Sequence, residues 1–167
     1  MTFAPRLWMA GETVTAAMLN TEIRDQFNSM FDAWTAFTPT WTSTGTAPTL
    51  GNGTLTGRYM KIGRTVHVYG ALTFGSTTNT GTGSLTMGLP VQAASASPGV
   101  LSITCSRTGS QNFLLGASPI SNNATSLGTM WLANPSTIGD WNSWTDGAPT
   151  LAAGDIMRYY GTYQAAT

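Results

Sequence analysis

Charge is what this sequence has least of. Only 8% of its 167 residues are Asp, Glu, Lys or Arg, against roughly 25% in a typical domain. From Thr65 to Gly139 the only charged side chain is Arg107, with His67 counted as neutral. Seven cations balance seven anions, so no bulk field draws in a nucleic acid or an acidic membrane surface. The single cysteine, Cys105, excludes an intrachain disulfide and a cysteine zinc site. It reads as a small buried side chain in a strand that runs from Val100–Thr104 onward. The single histidine, His67, would have to be the base of any histidine-dependent nucleophilic site, and no carboxylate stands near it in sequence. No stretch approaches the ~20 apolar residues of a membrane span. The start, MTFAPRLWMAGET, lacks the basic region and long apolar run of a secretory signal.

What is present argues against disorder. Six Trp, six Phe and five Tyr are more than an unfolded segment carries. The surface must then be built from Thr, Ser, Asn and Gly, with hydrogen bonds in place of charges. Such a surface suits an extracellular fibre or a protein held in a virion better than a freely diffusing cytosolic enzyme. Asn52-Gly53-Thr54 and Asn123-Ala124-Thr125 match the glycosylation pattern but read as turns.

The helical signal is confined to the start. No Gly or Pro interrupts Glu12 to Thr38. Thr13 or Thr15 can cap a helix by accepting a backbone hydrogen bond, and Ala16, Ala17, Met18 and Leu19 favour one. The pattern predicts a helix from Ala16 to Trp34. Ile23, Phe27, Met30, Trp34 and Phe37 step by four, three, four and three, an a/d seam that Ala16 and Asn20 extend backward. One reading is an amphipathic helix lying on its own β domain. The sharper one is a short parallel bundle of identical chains, with aromatic cores suited to three strands or more and Asn20 fixing register.

From Thr38 the hydrophobic period changes to two. A Thr/Gly/Pro-rich arm leads into a hairpin, Leu55 to Ile62, a turn at Gly63, then Thr65 to Phe74. Val66, Val68, Leu72 and Phe74 fall on one face and His67, Tyr69 and Thr73 on the other. Further strands are expected at Gly83–Leu89, Gly99–Arg107, Asn112–Ala117, Leu127–Leu132 and Asp155–Gln164. The expected fold is mainly β: an amphipathic helix followed by an antiparallel, jelly-roll-like β-sandwich. The expected organisation is a docking arm (1–14), a helical stem (15–37), a linker arm (38–53) and a β-sandwich domain (54–167).

Catalytic and cofactor signatures are missing. Asp140, Asp146 and Asp155 are the only acids in the β half, a small pool for a glycosidase pair. DWNSWTDG fails as a calcium loop, because Thr145 stands where Gly is needed and Leu151 where Glu is needed. No metal or cofactor is expected, and no enzyme activity. The same loop leaves one binding option. Trp141 and Trp144, with Asp140 and Asp146, set flat apolar faces beside hydrogen-bonding groups, as sugar recognition requires. The other reading is that these Trp side chains plug one end of the sandwich. GRYMKIGRTVHVYG, which concentrates Arg58, Lys61, Arg64 and His67, reads as a hairpin turn meeting water; the other reading is contact with an anionic wall polymer or with a neighbouring subunit.

Four stretches carry a resemblance. TPTWTSTGTAPTLGNGTLTGRYMKIGRTVHVYGALTFGSTT with GTGSLTMGLPV is similar to a β domain in tail-fibre and minor tail proteins of phages infecting actinobacteria. GAPTLAAGDIMRYYGTYQA resembles that domain's final strand, and WMAGETVTAAMLNTEIRDQFN the N-terminal segment such proteins carry. The resemblance implies a virion structural protein, commonly a homotrimer with a helical stem and β-sandwich heads. The chain would then sit on the exterior of a phage tail or head. Asn20, Ile23, Phe27, Met30, Trp34 and Phe37 would form the trimer stem, and the arm would dock on other virion proteins through Phe3, Pro5, Leu7 and Trp8. Its role would be a tail fibre or spike contacting the host surface and its wall glycans. The alternatives are a capsid decoration or head-fibre protein and, third, a wall depolymerase.

Overall fold

Thr15 starts the helix, as capping chemistry demands: the Met18 amide donates to its Oγ1 at 3.3 Å. In the computed structural model, which describes residues 7–96, 98–109, 113–128, 130–133, 141–143 and 151–166, α1 (Ala16–Leu19) runs into a π-helical turn (Asn20–Arg24) and then α2 (Asp25–Ser29). Met30 and Phe31 close it with i→i+3 bonds to Phe27 and Asn28.

The expected helix to Trp34 is therefore five residues too long, and Trp34 and Phe37 leave the helical seam. Thr35–Phe37 is instead β1, paired antiparallel with the strand at Tyr59, Arg58 and Gly57. The reason is local and tertiary together. β-branched Thr35 and Thr38 disfavour helix, Pro39 pushes Thr38 toward extended backbone, and Phe37 gains a seat on the core. Its ring meets Tyr59 edge to face at 5.8 Å.

The structure as a whole is mainly β, 43% strand. The strands are β2 (Trp41–Ser43), β3 (Thr54–Ile62), β4 (Thr65–Thr73), β5 (Leu85–Met87), β6 (Gly99–Ser106), β7 (Phe113–Ile120), β8 (Trp131–Ala133), β9 (Trp141–Ser143) and β10 (Ile156–Gln164). Among the described residues they make an antiparallel eight-stranded sheet, β1-β3-β4-β10-β6-β7-β8-β9, and a two-stranded sheet, β2-β5. The β3–β4 hairpin turns at Gly63 and Arg64, with Gly63 at φ +59 supplying the positive φ that a two-residue hairpin needs first. Leu127–Leu132 forms a strand only from Trp131. Leu127 and Met130 instead enter the core from the preceding loop.

Segment 38–53, expected as a linker, is bound into the body. β2 pairs with β5, and Thr49 bridges Asn79. Here hydroxyls and amides do the work of charges. The Asn52 amide donates to Thr77 Oγ1 at 2.9 Å, and the Thr77 amide returns a bond to Asn52 Oδ1 at 3.0 Å. Ser43 Oγ donates to the Thr82 carbonyl at 2.6 Å, and the Thr46 amide donates to Thr82 Oγ1 at 2.9 Å. Asn52 and Asn123 both sit in turns, Asn123 at φ 57, a conformation Asn tolerates.

One face of the large sheet carries the core. Val66, Val68 and Leu72 of β4, Leu101, Ile103 and Cys105 of β6, and Met157, Tyr159 and Tyr163 of β10 are all buried. Leu85, Met87, Phe74 and Leu127 join the same cluster, with Trp41 packed against it. A row across this face shows how it closes. Phe37, Gly57, Gly70, Tyr159 and Ile103 are successive partners in register. Each glycine is roofed by its outer neighbour's ring, Phe37 over Gly57 and Tyr159 over Gly70. Placing a Cβ on Gly70 would overlap Cε1 and Cζ of Tyr159.

Two predictions follow from this packing. Gly70→Ala forces the Tyr159 ring out of its seat and lowers stability by about 1–3 kcal/mol, read from urea unfolding with an unchanged m-value. Alkaline pH attacks the same core. Burial pushes Tyr159 far up, and it pushes Tyr163 up to about 12 even though the Tyr163 hydroxyl bonds to Val91. The folded chain thus keeps protons that the unfolded chain releases at about pH 10. Stability should hold below pH 10 and fall as pH rises toward 12, with tyrosinate absorbance and loss of near-ultraviolet circular dichroism appearing together.

Candidate functional site

The strand order that buries the inner face also assembles an outer one. Alternation turns Arg58 of β3, His67 and Tyr69 of β4, and Tyr160 and Thr162 of β10 away from the core. Register sets Arg58, Tyr69 and Tyr160 side by side in one row and His67 and Thr162 in the next. Trp34, in the link between helix and β1, completes a shallow groove of about 440 Å3 lined by these six side chains. That volume is within the usual range for ligand sites, roughly 300–1,000 Å3.

Among the described residues the groove is aromatic with a single fixed cation. The Arg58 guanidinium lies 5.5 Å from the Trp34 ring centroid and 5.1 Å from that of Tyr69, so cation–π attraction from two rings positions it. No carboxylate pairs with it among the described residues, whereas Arg158 on the same face donates to Ser106 Oγ at 3.0 Å. His67 Nδ1 and Thr162 Oγ1 are 3.1 Å apart, a contact that orients the imidazole. Tyr160 remains 41% exposed. Among the described residues no acid lines the groove.

The sequence favours the arm, the stem and the Trp141–Trp144 loop as functional, with the hairpin that carries Arg58 as the minor option. Of its docking anchors, Leu7 and Trp8 are exposed, and Phe3 and Pro5 lie outside the described residues. Of its stem residues, Asn20, Ile23 and Phe27 are helical, Met30 caps the helix end, and Trp34 and Phe37 belong to the β body. Trp141 opens β9, while Asp140, Trp144 and Asp146 lie outside the described residues. Within GRYMKIGRTVHVYG, Arg64 sits in the turn as expected, but Arg58 is drawn up the strand into the groove. Tyr69 and Tyr160 are 91 residues apart in sequence and adjacent in the sheet. The available signal was an aromatic side chain at the outward position of each of two alternating strands.

Asp155 has a structural task. It is buried, and its carboxylate accepts the Thr108 amide at 2.7 Å and the Ala152 amide at 2.8 Å, tying the β6–β7 loop to the turn before β10. Cys105, also buried, has its thiol pushed up to about 12, by burial first and then by the nearby Asp155 charge. Such a thiol is a packing group and a poor nucleophile. Among the described residues no three His, Cys, Asp or Glu side chains are grouped to hold a metal ion. Asp155→Asn should remove one of the two charge-assisted bonds and cost about 1.5–3 kcal/mol in chemical denaturation, while any glycan binding by the folded variant stays at the native level.

In comparisons with known proteins, no family model matches the chain, and no curated protein or solved structure is significantly similar to it.

Proposed function

We propose that this chain is a structural protein of a bacteriophage particle, a homotrimeric tail-fibre or spike component that contacts the host surface. The observation that carries this reading is the apolar stripe of the helix. Ile23 is 46% exposed, Phe27 61% and Phe31 81%, and no residue of α1 or the π-helical turn is buried. A helix of this length is marginal alone in water, so its stripe needs a partner. The four-three spacing of Asn20, Ile23, Phe27 and Met30 favours copies of itself. The π-helical turn interrupts a regular heptad, which suits a short junction better than a long shaft.

Three further features support the reading. The loops exchange charge for hydroxyl and amide hydrogen bonds, a surface suited to a particle exterior. Leu7, Trp8 and Met9 precede the helix as an exposed apolar arm, the expected form of an anchor on another virion protein. The sequence resemblance to phage tail-fibre domains points the same way. We assign the β body a sandwich architecture, jelly-roll-like, with β2, β5 and the intervening loops as its second layer. The same arm would dock equally well on a capsid, so a head-fibre or decoration protein is the second reading. A wall depolymerase is the third, and among the described residues the outer groove supplies no carboxylate for it.

Sedimentation equilibrium should give a mass about three times the 17.6 kDa of one chain. The double substitution Ile23→Asp with Phe27→Asp should yield monomers of unchanged strand content by circular dichroism. A monomeric native protein would sink the trimer. Immunogold labelling of intact virions should place the protein at the tail tip. Gold spread over the head would select the decoration reading, and unlabelled particles would remove both.

A further inference from the structure

We infer that the outer-face groove is a binding site for an acidic saccharide, a sugar carrying a carboxylate. The inference rests on the host-contact reading for its biological sense, but its chemistry stands on the groove alone. Three features select this ligand class. Tyr160, exposed in the shallow groove beside the Trp34 and Tyr69 rings that hold Arg58, offers an aromatic face, and the apolar C–H face of a pyranose packs on such a ring. The His67 imidazole, the Thr162 hydroxyl and the Tyr160 hydroxyl stand along the same groove, within reach of ring hydroxyls. Arg58 is the charge selector. Its guanidinium is held by two rings and opposed by no carboxylate among the described residues. Its N–H edge is thus available for the fork-like pairing that a carboxylate accepts.

The groove's polarity separates this ligand from others. A neutral sugar would leave Arg58 without a counter-charge. A nucleic acid strand would need several cations along its path, and among the described residues the groove has one.

The test uses the full chain, with binding followed by titration calorimetry. Probes are trigalacturonate, a hyaluronan oligosaccharide and sialyllactose, with fully methyl-esterified trigalacturonate as the uncharged control. At least one acidic probe should bind; if it is trigalacturonate, the ester should bind at least about tenfold more weakly, the loss expected for one charge-assisted contact. Arg58→Ala should weaken the acidic probe by a similar factor. Tyr160→Ala, on the exposed face, should abolish stacking and weaken acidic and neutral forms alike, with unfolding curves confirming that both variants fold. Failure of all three acidic probes would overturn the inference, as would acidic binding that Arg58→Ala and Tyr160→Ala leave intact. Binding of an oligonucleotide in place of the sugars would also overturn it. The two readings fail separately. Sugar binding by a protein absent from virions removes the phage assignment and keeps the groove. Tail-tip labelling without sugar binding removes the groove alone.

Discussion

The side-chain alternation of β4, placed between β3 and β10, is the constraint on which both faces of this protein depend. Its inward residues, Val66, Val68 and Leu72, are buried and begin the core. Its outward residues, His67 and Tyr69, form the middle of the groove. A slip of one residue in the β3–β4 hairpin would exchange the two sets, exposing three aliphatic side chains and burying a histidine and a tyrosine. The turn at Gly63 and the Gly57–Gly70 pair hold the register. A ring can cover each glycine only where the paired strand brings that gap to the right place, so the aromatic roofs check the alignment a second time.

Scarcity of charge shapes the rest of the surface. The 42–53 and 75–86 segments are joined by hydroxyl, amide and carbonyl groups at 2.6–3.0 Å. Bonds between neutral groups are individually modest, but salt screens them less than ion pairs. Against this neutral background Arg58 is conspicuous. It is held by two aromatic rings, with no carboxylate paired to it among the described residues.

The helix shows the limit of periodic reasoning. A four-three spacing continues through Trp34 and Phe37, so nothing in the pattern itself announces that the helix stops at Ser29. The competing term is sheet pairing. Residues 35–37 gain backbone bonds with β3, and Phe37 gains a seat over Gly57 that no solvent-facing helical position offers. Trp34, freed from the helix, becomes the lid over Arg58. The remaining stripe, Ile23 and Phe27, stays in solvent, and the proposed trimer is the arrangement that would cover it.

The sequence by itself determined the class of the fold and the central hairpin. Period-two alternation from Leu55 to Phe74 and the glycine at position 63 are local signals, and local signals specify which residues face inward. It also determined that Cys105 is buried and that charge would be replaced by hydroxyls. Only the tertiary structure decided which strands are neighbours. Tyr160 reaches Tyr69 because β10 returns across 91 residues to pair with β4, and Trp34 reaches Arg58 because β1 folds onto β3. Neither contact has a local signature. Long-range pairing is chosen by how the buried faces fit together, and the groove on the other face follows from that choice.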